Sequence, residues 1–161
     1  MNLTEWHDFL VAMVGAAAAL TGLIFVGVSI NITRILSFPK LPERAVLSII
    51  LLMNILVVCS LLLIPKQPYI FLGAVVSIIA ICVYSFVTGM DVGIYKNSGE
   101  YKKQYLVSMI YNQLSLLPYV AAGPAIFISR EYGIYWLVPG IILSFIKSVV
   151  DAWVLLVEIN R

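Results

Sequence analysis

Read by polarity alone, the chain is a series of long apolar stretches separated by short polar ones. The apolar stretches cover about 9–33, 45–64, 69–90, 105–128 and 134–158. Each is near or above the roughly 20 residues that carry a helix across about 30 Å of hydrocarbon. The interruptions hold the breakers expected of turns. "SFPKLPERA" contains Pro39 and Pro42, and "PKQP" contains Pro65 and Pro68, residues that push the position before them out of helix. The second of these turns is too tight for anything but an antiparallel hairpin, so the second and third stretches are expected to be neighbours. "MDVGIYKNSGEYKK", Met90 to Lys103, reads as the longest connection, and "SREYG" as a brief turn before the last stretch. The pattern predicts an all-α integral membrane bundle of five transmembrane helices, one domain over 1–161. No internal repeat is visible, and five spans do not divide evenly, so the inverted-repeat architecture of many secondary transporters is not expected.

Composition agrees. The chain is 62% hydrophobic and 11% charged, with a mean hydropathy of +1.04, outside the range of ordinary soluble domains. The flank "MNLTEWHD" has no Lys or Arg, and the stretch after it is too long for a signal peptide, so it is expected to be a retained span. The basic residues set the orientation, because cytoplasmic loops carry the excess of Lys and Arg. One side would hold Arg34, Lys40, Arg44, Lys96, Lys102, Lys103 and Arg161, the other Lys66 and Arg130. The amino terminus is therefore expected outside and the carboxyl terminus in the cytoplasm. With a net charge of +2 and no basic cluster interleaved with aromatics, the expected partner is the lipid bilayer and not nucleic acid. Cys59 and Cys82 both lie in apolar runs and are expected as reduced, packed thiols.

The first span has a face of small residues. Helical spacing puts Gly15, Ala19, Gly22 and Ser29 on one side, with Ala12 above them. Small residues let backbones approach closely, the main source of helix association in lipid. The face serves either packing within the chain or contact with a second copy, and a homo-oligomer is expected. "EWHDFLVAMVGAAAALTGLIFVGVSIN" resembles the opening of a group of small multi-pass bacterial membrane proteins, mostly of uncharacterised function. These begin with a Trp and an Asp-Phe pair, followed by a Gly/Ala run and "GLIFVGVS". The resemblance covers the first fifth of the chain; it implies a bacterial cytoplasmic membrane and no particular activity.

Chemistry enters with "SFIKSVVDAW", where Lys147 and Asp151 stand one helical turn apart in the middle of an apolar run. A charged side chain at that depth costs several kcal/mol unless it is paired or hydrated, and intramembrane ionisable residues mark functional sites by default. Ser144, Ser148 and Glu158 extend the same face. Counting about 1.5 Å per residue from the cytoplasmic ends puts Asp151, Asn112 and Tyr84 at one level, roughly 10 Å in. Lys147, Ser115 and Asn54 form a second level, roughly 15 Å in. Polar stripes on the third span (Ser77, Tyr84, Thr88, Asp91, Tyr95) and on the fourth (Gln104, Ser108, Tyr111, Asn112, Ser115, Tyr119) point the same way.

Two functions fit these residues. One is passage of a small cation or proton through a polar interior lined by spans three to five, with Asp151 as the charge-bearing site, Lys147 as its counter-ion, and Tyr84, Asn112, Asn54 and Ser115 in support. The other is a non-conducting scaffold or regulatory subunit, in which the same groups form a dry network that holds helices together. Pro118 and Pro124, with Gly123, would kink the fourth span in either case. Glu5, His7 and Asp8 are expected to form a solvated cap beside Trp6, a residue suited to the interface. A lone His with no thiolate nearby calls for no metal, and the absence of any catalytic or phosphate-binding motif calls for no cofactor and no enzyme.

Overall fold

The computed structural model describes residues 4–38, 41–96, 102–128 and 130–159, and these fold into six helices. They are α1 (Thr4–Ile30), α2 (Ile32–Ser37), α3 (Leu41–Leu63), α4 (Tyr69–Lys96), α5 (Lys102–Ile128) and α6 (Arg130–Ile159). Lys40, Arg161 and the side chain of Glu158 lie outside the described residues.

The outside of the fold is apolar, and charged side chains lie within it. Large apolar side chains crowd the outside, among them Leu23 at 69% exposure and Trp153 at 64%, while Lys147 and Asp151 are 7% and 3% exposed. Water would make this arrangement unfavourable; hydrocarbon makes it the natural one. Helices α1, α3, α4 and α6 are each long and apolar enough to cross a membrane. The chain is a multi-pass membrane protein. Helix α5 matches them in length but is less apolar, because Gln104, Asn112, Gln113 and Ser115 lie along it.

Helix α5 lies between α4 and α6 and packs extensively on both; α6 continues onto α3, and α1 lies against the far side of α3. Antiparallel neighbours put the ends of α1, α4 and α6 beside the starts of α3 and α5. This end carries Arg34, Arg44, Lys96, Lys102 and Lys103, and is called here the basic end. At the opposite end, Trp6 of α1 meets Tyr135 of α6 edge-on at 5.1 Å between ring centroids.

Local chemistry explains two departures from the pattern of stretches and one feature that follows it. The first stretch is split at Asn31, whose side chain donates to the Gly27 carbonyl (3.1 Å) while its own carbonyl accepts from the Arg34 and Ile35 amides; it closes α1 and opens α2. The expected hairpin between α3 and α4 is present, turned by Lys66 at φ 59°. Gln67 reaches back to the Leu61 carbonyl at 3.5 Å, satisfying part of the open end of α3. In the second departure, the connection expected over Met90 to Lys103 is helical at both ends, with residues 97–101 outside the described residues. Helix α4 runs on to Lys96 and buries Asp91 and Ile94.

Candidate functional site

The interior between α3, α4, α5 and α6 holds a column of polar side chains. From α6 come Ser144, Lys147, Ser148 and Asp151, all buried, at steps of three, four and seven residues that place them on one helical face. From α3 come Arg44, Ser48 and Asn54, from α4 Asp91, and from α5 Asn112 and Ser115, again buried.

Register can be counted from close contacts. Gly133 lies on Ile126 and Gly140 on the Tyr119 ring. Continuing down the same antiparallel pair, Ser144 comes opposite Ser115 and Lys147 opposite Asn112. On the α3 side, the Ser148 hydroxyl donates to the Ser48 carbonyl at 3.2 Å, which puts Asn54 between the levels of Ser144 and Tyr119. On the α4 side, Asn112 Nδ2 donates to Asp91 Oδ1 at 2.9 Å. One turn inward, Gln113 Nε2 donates to the Thr88 hydroxyl at 3.1 Å, which itself donates to the Tyr84 carbonyl at 2.7 Å. Nearest the basic end, the Arg44 guanidinium lies over the Tyr105 ring, 5.6 Å from its centroid, a cation–π arrangement.

The Lys147 ammonium donates to Asp151 Oδ2, forming a buried ion pair within one helix. Asp91 and Arg44 both lie within electrostatic range of Lys147. Among the described residues, the centre thus holds two acids and two bases, Asp91 and Asp151 against Arg44 and Lys147, and these four cancel when all are charged.

The column is incompletely bonded. Asp91 Oδ2, Asn112 Oδ1, both amide atoms of Asn54 and Arg44 Nε are buried without hydrogen-bond partners, while the buried hydroxyls of Ser144 and Tyr119 face each other. Buried polar groups in native proteins are nearly always satisfied, by water or ions where protein groups do not reach. A dry strut has no use for so many open acceptors.

The column ends at Tyr119. From Tyr105 to Tyr119 it runs roughly 20 Å along α5. Beyond Tyr119, the interior is apolar, with Leu62, Leu72, Val76, Ala122, Ile126 and Leu137 buried there. It is also tightly closed. A Cβ placed on Gly123 would stand 2.9 Å from Ser77 Cα, and one on Gly133 would stand 2.8 Å from the Ile126 amide nitrogen. A separate cavity of about 280 Å³ between α1 and α6 is lined by Leu20, Ile24, Val28, Ala152 and Trp153 among others, and shares no residue with the column.

Among the residues picked out from the sequence, Asp151, Lys147, Asn112, Asn54 and Ser115 therefore share one interior. Tyr84 does not stand beside Asn112: it is half-buried about two turns further from the basic end, and Asp91 occupies the place beside Asn112. Asp91, read from the sequence as part of a polar stripe, and Arg44 are the members not named among the expected site residues. Asp91 sits one residue past the assumed end of its span, and Arg44 was counted only as a flanking charge. The small-residue face of α1 points away from the bundle. Gly15, Ala19, Gly22 and Ser29 are exposed, and a Cβ on Gly15 or Gly22 would meet nothing within 4 Å. His7 and Asp8 are exposed at the other end of α1, 3.5 Å apart. No protein-family model, no curated protein and no solved structure matches the chain.

Proposed function

We propose that the protein moves a small cation or proton, admitted from the basic end into the polar interior between α3, α4, α5 and α6. The observation that carries this reading is the set of buried, unpartnered polar atoms arranged around the Lys147–Asp151 pair. In a low-dielectric interior each such atom costs about 1–3 kcal/mol, and a network kept only for packing would be selected to close them. A scaffold explains the ion pair but not the open oxygens. In this reading Asp151 bears the transported charge, Lys147 is its counter-ion, Asp91 is a second carboxylate, and Asn112, Asn54 and Ser115 offer hydrogen bonds along the way. Helix α5 is the fifth span, since it lies antiparallel between two helices able to cross. The excess of Lys and Arg makes the basic end cytoplasmic, with the amino terminus outside, in a bacterial cytoplasmic membrane.

Flux in liposomes tests this. The purified protein is expected to carry protons or potassium under an imposed potential, and the double variant Lys147→Met, Asp151→Leu is expected to lose that flux while remaining folded. Undiminished flux in the folded double variant would remove the pair from the pathway, and no flux from folded wild type would favour the scaffold.

The exposed small-residue face of α1 supports assembly with a second copy, since Gly15, Ala19 and Gly22 would allow a close crossing of two α1 helices. Gly22→Leu is expected to shift the protein to monomer in detergent, as read by light scattering. An unchanged molar mass would assign that face to lipid.

A further inference from the structure

We infer that the interior site exchanges one monovalent cation for one proton, instead of conducting either alone. The inference rests on the ion-pathway reading above and names its substrate class and stoichiometry.

Charge balance is the first ground. The described charged groups within electrostatic range of Lys147 are Arg44 from α3, Asp91 from α4 and Asp151 on α6 itself, and Tyr105 of α5 lies against Arg44. The two cations and two carboxylates cancel. Adding a metal cation to this set leaves a net positive charge in a low-dielectric interior, which is strongly unfavourable. The penalty disappears if a proton leaves as the cation enters. Arg44 cannot supply it, because a guanidinium stays protonated; Lys147 can, because an ammonium can become a neutral amine. The Lys147 N–H bond breaks, its proton passes to solvent at the basic end, and the amine keeps the electron pair. The cation takes the place of the ammonium against the Asp151 carboxylate. Total charge is the same before and after, and a divalent ion would not balance.

The open ligands are the second ground. Three of the five unpartnered atoms are oxygens: Asp91 Oδ2, Asn112 Oδ1 and Asn54 Oδ1. Asp91 and Asn112 stand opposite Lys147 and are joined to each other through their remaining atoms. Oxygen acceptors suit a hard cation and not an anion.

The third ground is the depth of the column. It reaches from the basic end to Tyr119 and stops against apolar packing closed by Gly73, Gly123 and Gly133. A pore needs a continuous polar route; an exchanger needs a site reached from one side at a time. The arrangement matches the second.

The test uses the full chain in acid-loaded liposomes at clamped zero potential, with internal pH read by a trapped dye while lithium, sodium or potassium is added outside. At least one of these cations is expected to drive saturable internal alkalinisation. Lys147→Arg keeps the positive charge and its partner but removes the exchangeable proton, so it is expected to lower exchange by about tenfold or more with an unchanged melting temperature. Exchange at the wild-type rate in Lys147→Arg would overturn the inference. So would proton flux that is indifferent to all three cations, which would leave the ion-pathway reading standing. Absence of both proton and cation flux would sink the two together. If Lys147→Arg fails to fold, the wild type decides: one-for-one exchange moves no net charge, so the rate of alkalinisation is expected to be the same at imposed potentials of either sign, and a rate that follows the potential would overturn the inference.

Discussion

Asp151→Leu by itself is expected to cost about 3–5 kcal/mol of stability, and adding Lys147→Met to it is expected to restore most of that loss. Both groups of the pair are buried, so removing the carboxylate leaves an ammonium with neither water nor its partner. The alternatives open to Lys147 set the size of the effect. Asp91 lies within electrostatic range and has an unpartnered oxygen, so a partial re-pairing would bring the loss toward the lower figure. Snorkelling to the basic end is the other route, and it is obstructed by Arg44, a like charge in the same interior. In the double variant no charge is stranded, and two apolar side chains of similar length fill the space. The double variant is then expected within about 1 kcal/mol of wild type, because desolvating an ion pair consumes most of what its attraction returns. Reversible unfolding in mixed micelles, followed by helical circular dichroism, measures all three proteins. A double variant as unstable as the single would show that the surrounding polar column depends on the pair for its structure.

The membrane class and all five long helices, four of them long and apolar enough to cross a membrane, were legible because lipid demands uninterrupted apolar length, a property of composition and spacing alone. Most of the site was legible for a related reason. Lys147 and Asp151 are conspicuous only because the residues around them are apolar, and Asn54 and Asn112 stand out in the same way. The misreadings share one cause. A run such as "MDVGIYKNSGEYKK" looks like a loop when polarity is taken to mean water, yet Asp91 within it turns inward to Asn112 and the helix continues to Lys96. Arg44 was equally ambiguous: one basic residue near a span end serves topology, interior chemistry, or both, and only its place over Tyr105 separates these. Tyr84 was aligned by counting from that misplaced helix end, which put it about two turns too close to Asn112. The direction in which the α1 small residues face was not legible at all, because a small side chain suits a partner within the chain and a partner outside it equally well.

Gly123→Ala should destabilise the fold by about 1–3 kcal/mol, while Gly89→Ala in the adjoining helix should be neutral or stabilising by up to about 1 kcal/mol. The two substitutions add the same methyl group to the interior of a helix. At Gly89 that methyl meets nothing within 4 Å, whereas at Gly123 it lands on the Ser77 hydroxyl and stands 2.9 Å from the Ser77 Cα. A side-chain rotation removes the first clash but not the second, since a Cα moves only with its backbone. Helices α4 and α5 must then separate where Gly73 also comes close to the Gly123 carbonyl. This contact closes the apolar end of the interior, so the same variant bears on function. If the close approach of α4 and α5 is what ends the polar column, prying it apart should raise passive proton leak through reconstituted Gly123→Ala relative to wild type and to Gly89→Ala. Loss of stability with no added leak would mean that the seal lies elsewhere along the apolar half, with the Gly133–Ile126 contact of α5 and α6 as the next place to open.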